Sequence, residues 1–235
     1  MKKQLLLFVF LMSLVEIMSA QDNTINTTGK FGSQIFLSDV YGRAFENKYG
    51  DINGSAYFLP EYKFSTIFLS DGRKYYNVKA KLNLVEHEVV FKSSSGEEGF
   101  IGKGMVSIIS IVDSTKQGVK NYTFQSGFPK IDNQTSLYFY QVYTTGKATL
   151  LKSINKSIEE RLNELSGEKS KEFMVRENGY IYIGGEMKRI KKEKEFFMNI
   201  LADQAAAVNQ YMTTNKINFK NEDQVLKLIE FYNSL

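Results

Sequence analysis

The chain has no cysteine and no tryptophan, a single histidine and two prolines among its 235 residues. Without cysteine there are no disulfides, no thiolate metal centres, no cysteine nucleophile and no lipid anchor on an N-terminal cysteine. Stability must therefore come from the hydrophobic core. Without tryptophan, a sugar-stacking cleft would have to rely on tyrosine and phenylalanine. One histidine, His87, is a poor start for a transition-metal site. A Ser-His-Asp constellation around it would have to be gathered from distant residues. The chain offers no Gly-x-Ser-x-Gly elbow in its support. Charge of one sign is also scarce. The formal net charge of +4 is far from that of a nucleic-acid binder, and no nucleic-acid partner is expected.

Long apolar runs are nearly absent too. Leu5 to Val15 is the exception, and Glu16 interrupts it. It is too short to span a bilayer comfortably. Lys2 and Lys3 precede it, and small Ser19 and Ala20 separate it from polar Gln21 and Asp22. This is the layout of a secretory signal peptide over residues 1–20, with cleavage between Ala20 and Gln21. No transmembrane segment is expected after cleavage. A mature chain of about 215 residues is long enough for one large core or two small ones.

What is present is mostly strand pattern. Val78, Ala80, Leu82 and Leu84 alternate with Asn77, Lys79, Lys81 and Asn83. A period of two sends one set inward and the other to water. Strands are expected near 64–69, 74–84, 88–92, 100–101, 105–112, 119–124, 136–143 and 147–154. Met105 to Val112 is apolar on both faces, which places it centrally in a sheet. Gln34 to Val40 fits an edge strand. Asp71-Gly72 and Asn178-Gly179 read as hairpin turns. Ile158, Leu162 and Leu165 fall at helical spacing in a charged stretch, suggesting a short helix or an excursion over 155–170. Met187, Ile190, Phe197, Leu201, Val208 and Tyr211 suggest helices over 187–195 and 198–214. Asn221 is an N-cap candidate before Glu222 and Asp223, and Val225, Leu228, Ile229 and Tyr232 form the stripe of a last helix.

The expected fold is α+β: a twisted antiparallel sheet or half-barrel followed by C-terminal helices. Its parts are the leader at 1–20, a weakly ordered segment at 21–50, the sheet domain at 51–184, and a helical segment at 185–235 packed on the sheet. No internal repeat and no linker divides the chain.

Candidate chemistry is thin. Glu86 with Glu88, or Glu97 with Glu98, could serve glycan hydrolysis as carboxylate pairs. Glu86 and Glu88 would lie on one strand face about 7 Å apart. A solvated strand face has the same look. His87 would share the opposite face with Val89 and Phe91, as a histidine at or near the core rim. Gly99, Gly102 and Gly104 lack the strand-loop-helix context of a phosphate loop and fit a bend between strands better. Lys188, Arg189, Lys191, Lys192 and Lys194 are five cations in seven residues. On a helix over 187–195 they would suit an anionic membrane surface or lipid headgroup. An ordinary solvated helix face explains them as well. Tyr138, Phe139, Tyr140 and Tyr143, with Tyr75 and Tyr76, are core and cross-strand candidates, or an outward row for a ligand or partner strand.

The stretch from Gly54 to Phe91, GSAYFLPEYKFSTIFLSDGRKYYNVKAKLNLVEHEVVF, resembles the opening of a group of uncharacterised exported proteins of Bacteroidota. Phe139 to Lys152 looks like that group's hairpin, and the ending NKINFKNEDQVLKLIEFYNSL is similar to its helical tail. Ala56 stands where the group has proline, and Lys81-Leu82-Asn83 departs from its Arg-Tyr-Asn. The resemblance implies export from a Gram-negative cell and brings no activity or functional residue. Asp113-Ser114-Thr115 is also similar to the short O-glycosylation acceptor of such bacteria, which makes Ser114 and Thr115 the candidate positions.

The reading taken together is of an exported, non-enzymatic binding or scaffold protein in the periplasm or on the periplasmic face of the outer membrane. It uses no cofactor, and its partner is an envelope protein or a glycolipid. The alternatives are a hydrolase of envelope glycan or lipid, using a carboxylate pair or His87, and peripheral membrane attachment through the basic residues. When the full precursor is expressed in a Gram-negative host, intact-mass analysis of the exported protein should give a chain starting at Gln21. Retention of Met1 to Ala20 would overturn the leader assignment.

Overall fold

The computed structural model describes residues 49–162 and 167–235. The leader expected at 1–20 with its Ala20–Gln21 cleavage, the segment 21–48 and the edge strand expected at 34–40 lie outside the described residues.

Eleven strands form one open sheet. They are β1 (Ile52–Asn53), β2 (Lys63–Leu69), β3 (Lys74–Asn83), β4 (Glu88–Lys92), β5 (Glu98–Ile101), β6 (Val106–Thr115), β7 (Gly118–Gln125), β8 (Tyr140–Thr144), β9 (Ala148–Leu162), β10 (Lys169–Ile183) and β11 (Glu186–Arg189). Their order is β1-β10-β9-β8-β7-β6-β2-β3-β4-β5, and β11 pairs with β10. Only β1 runs parallel to its neighbour. Helices α1 (Lys194–Ile200), α2 (Ala205–Thr214) and α3 (Glu222–Ser234) follow. The architecture is the α+β arrangement expected, and β6 is a central strand.

The alternation in β3 does what its period requires. Val78, Ala80, Leu82 and Leu84 are all at most 5% exposed. Asn77 sits at φ +56° where the β2–β3 register shifts. The extra residue there bulges the strand and bends the sheet. Asn83 departs from the pattern, being buried. Its Oδ1 accepts from the amides of Val85 and Glu86, and its Nδ2 donates to the Tyr49 hydroxyl. A buried amide is tolerated because it is satisfied.

Three hydrophobic clusters divide the interior. The first joins Ile67, Leu82, Leu84, Phe91, Ile109 and Phe124 to Ile154 of β9. The second packs Ala148, Leu150 and Ile181 under Phe197, Leu201, Val208, Leu228 and Ile229 of the helices and their junctions. The third gathers Phe128, Tyr140, Leu151 and Tyr180. Register puts Leu150 opposite Ile181 and Leu151 opposite Tyr180. Neighbouring residues of β9 thus feed cores on opposite faces.

The end of α3 locks the β8–β9 turn. Asn233 Oδ1 accepts from the Ala148 amide, and Asn233 Nδ2 donates to the carbonyls of Ala148 and Thr145. The side-chain amide pairs with Ala148 as a neighbouring strand would. Gly146 must lack a side chain here, since a Cβ would lie 2.6 Å from Asn233 Cγ.

Four expectations fail in whole or in part. The stretch 155–170 is not helical where it is described: β9 runs on to Leu162 and β10 starts at Lys169. Cross-strand ion pairs hold these strands together, Arg176 with Glu159 at 2.9 Å and Arg161 with Glu172. They outweigh a weak helical spacing. Asn178-Gly179 is no turn but lies inside β10. Gly179 instead lets Ile190 close in, whose Cδ1 would meet a Cβ at 3.1 Å. The turn falls at Gly184-Gly185, both with positive φ, before β11. Finally, 187–195 is not a helix. Its first part is β11, and the helices begin at Lys194 rather than 185. The strand expected at 136–143 also starts late, at Tyr140.

One residue ties distant parts of the sheet together. The Lys156 amide donates to the Leu84 carbonyl at 3.0 Å. Its ammonium donates to the carbonyls of Ser55 and Tyr57, both at 2.7 Å. Segment 56–58 in turn bonds β3 and the turn that follows it, through Phe58 to Leu82 and Leu84 to Ala56. Burial lowers the Lys156 ammonium below the ordinary lysine value. Replacing Lys156 with Met keeps the stem and orphans two carbonyls. Urea unfolding of that variant should show a loss of about 1–3 kcal/mol; an unchanged midpoint would refute the tie.

Candidate functional site

The β8–β11 end of the sheet and the start of α3 enclose a cleft of about 520 Å³. Its apolar wall is built from Ile190, Phe219, Val225 and Leu226 with Leu150. Phe219 is held in place by stacking on Phe197, ring centroids 5.2 Å apart. The loop before α3 is fixed by its own side chains. Asn221 caps the helix, its Oδ1 accepting from the Gln224 amide at 3.1 Å. Gln224 Oε1 accepts from the Asn218 amide at 2.6 Å. The N-cap read from the sequence is therefore present, and Val225, Leu228, Ile229 and Tyr232 are buried as the stripe requires.

Polar groups converge on Lys152 of β9. Its Nζ lies 2.5 Å from Glu222 of α3 and 3.3 Å from Glu177 of β10. Burial by itself would depress this ammonium. The Glu222 hydrogen bond, Tyr143 and Glu177 outweigh it, and the net shift is upward. Lys152 is therefore charged at every physiological pH. The Tyr143 hydroxyl is pushed up, chiefly by burial and also by Glu222 and Glu177, with Lys152 opposing. Arg189 of β11 reaches Asn178 Oδ1 and lies 3.7 Å from Asp132. Lys192 and Lys220 also line the cleft. Neither forms an ion pair among the described residues. The site thus offers an apolar wall, Lys152 held between two carboxylates, Arg189 near Asp132, the carboxylate of Asp223, and two lysines without ion-pair partners.

The basic residues singled out from the sequence do not share one helical face. Lys188 and Arg189 are consecutive on β11 and so project to opposite sides. Lys188 pairs with Glu186 at 3.1 Å. Lys191 and Lys192 belong to the connection, and Lys194 opens α1. Only Arg189 and Lys192 of the five line the cleft. Attachment through a basic helix loses its basis.

The acid pairs do not enter the cleft. Glu86 lies in the turn before β4 and Glu88 starts that strand; Lys103 Nζ stands 3.3 Å and 4.0 Å from them. Glu98 of β5 is 3.8 Å from Lys92, and Glu97 accepts from the Ser95 hydroxyl. Among the described residues no group of His, Asp and Glu is placed to hold a metal ion. The glycines at 99, 102 and 104 belong to β5 and the turn after it, with no helix following. Ser114 and Thr115 are exposed at the end of β6, beside Asp113, which pairs with Lys63 at 2.8 Å.

His87 is in the β3–β4 turn at φ +54°, not in a strand alternating with Val89 and Phe91. It is 5% exposed. Its Nδ1 accepts from the Phe139 amide at 3.3 Å, and its ring lies 4.1 Å from that of Tyr138. It is packing chemistry, as a core-rim histidine would be.

Sequence reading missed Lys152, Glu177, Glu222 and Lys220. They come from two strands, a loop and a helix, and no local spacing links them. Comparison with known proteins is empty on every count: no family model, no curated protein and no solved structure matches the chain.

Burial brings the His87 imidazole down from 6.5 to about 4, with Lys103 assisting and Asn155 and Glu86 opposing. The unfolded chain takes up this proton near pH 6.5, the folded chain only near pH 4. The stability at stake is fully present above the first value and is lost as pH falls toward the second. The loss amounts to about 3 kcal/mol. Urea melts across this window should show that slope, and His87→Asn, which tolerates the left-handed backbone, should remove it. Equal slopes in both proteins would show that the burial of His87 does not matter.

Proposed function

We propose that this chain is an exported, non-enzymatic binding protein of a bacterial cell envelope, and that the cleft between the sheet and α3 is its binding site. The ligand class is an amphiphile with an apolar tail and an anionic head, as an envelope lipid or glycolipid would present. The observation that carries the reading is the lining. Ile190, Phe219, Val225 and Leu226 supply the wall, and Lys192 and Lys220 stand beside it without carboxylate partners. A cleft of about 520 Å³ is within the range of small-molecule sites. Binding rather than hydrolysis is favoured because Glu177 and Glu222 are both held on Lys152. A carboxylate so paired is a poor proton shuttle. Export is supported by the basic start, the apolar run and the small residues before Gln21. The resemblance to exported Bacteroidota proteins favours the periplasm or the periplasmic face of the outer membrane. Among the described residues no helix is long and apolar enough to cross a membrane.

Calorimetric titration of the mature chain with dodecanoate should show saturable binding at one site. The double reversal Lys192→Glu, Lys220→Glu should weaken it about tenfold or more, the equivalent of about 1.4 kcal/mol. The reversal of Lys116 and Lys120, which lie away from the cleft, should leave it unchanged. Absence of binding, or equal binding by both double variants, would refute the assignment.

A further inference from the structure

Strands β9 and β10 outrun the rest of the sheet. On its other side β9 is covered by β8 only as far as Ser153, and the Lys156 amide is taken by Leu84. Beyond Lys156, no strand among those described pairs with that edge. Yet β9 stays extended to Leu162 through its register with β10. The Lys156 amide points outward, so alternation turns the amides and carbonyls of Ile158, Glu160 and Leu162 the same way. Proteins usually blunt such edges. This one leaves Ile158 42% and Leu162 60% exposed.

We infer that this edge is the seat of a two-fold dimer, in which β9 pairs antiparallel with β9 of a second copy. The occupant is argued from self-complementarity. In an antiparallel pair, outward-bonding residues must face one another. Centring on Ile158 would need the Lys156 amide, which is in use. Centring on Glu159 would set apolar Ile158 against the charged Glu160 of the partner, twice by symmetry. Centring on Glu160 sets Ile158 against the partner's Leu162 and Glu159 against the partner's Arg161, each twice by symmetry. About six backbone hydrogen bonds form. The like pair at Glu160 is offset in each copy by Lys169, 3.8 Å away, and by Lys171 directly across the strands. Within each chain Glu159 already meets Arg176, and Arg161 meets Glu172. The contact therefore joins two existing charge pairs into one alternating row. It lies at the far end of β9 from Leu150 and Lys152 and leaves the cleft open.

Sedimentation of the mature wild-type chain should show a monomer–dimer equilibrium. Glu159→Arg and Arg161→Glu should each raise the dissociation constant about tenfold or more. Mixing the two variants should restore the dimer, because each reversed residue then meets its opposite. Circular dichroism checks that both variants keep the sheet. A monomeric wild type overturns the proposal. So does a dimer that neither substitution weakens, or one whose two weakened variants fail to recombine.

Discussion

The structure depends on the desolvated ammonium of Lys156. It sits midway along the longest hairpin and bonds to two carbonyls of a segment nearly a hundred residues earlier. A half-buried cation without a carboxylate is costly, and here two carbonyl dipoles take the place of part of its water. In return the curl of the sheet is fixed. The β3–β4 turn is brought to β9, and Ile154 is delivered into the core of β2 to β7. No disulfide is available to do this. The side chain and backbone of Lys156 together hold β9 against the β3–β4 turn.

A second ion, Lys152, ties the sheet to the helices on the same face of β9. Carboxylates satisfy it rather than carbonyls, and one of them begins α3. The two lysines differ by four positions and lean the same way from the strand. Lys156 binds β9 to the segment around Ser55 and Tyr57, and Lys152 binds the helical layer to the sheet. The second contact ties the first turn of α3 to β9, and Phe219 and Leu226 line the cleft beside it.

Most of the fold was legible where one physical rule acted alone. The alternation of Val78, Ala80, Leu82 and Leu84, the doubly apolar run at β6 and the capped stripe of α3 each answer to a local pattern. The failures occur where distant contacts override such patterns. Ile158 and Leu162 keep a helical spacing, yet Glu172 and Arg176 across the hairpin hold them extended. Asn178-Gly179 is a turn by composition and a strand by necessity, because Ile190 needs the space. The cleft was not legible at all. Its charged members are dispersed over three strands, two loops and a helix, and only the folded register brings Lys152 beside Glu177 and Glu222. Of the basic cluster, two residues out of five reached it, since a strand divides what a helix would have gathered.

The grip of Asn233 on Ala148 has a temporal side. The two residues are 85 positions apart, so the turn at Gly146 stays without its lock until the ribosome has made α3. The upstream strands can pair early, but the layer that completes the second core comes off last. A nascent chain of this design remains unfinished for most of its translation.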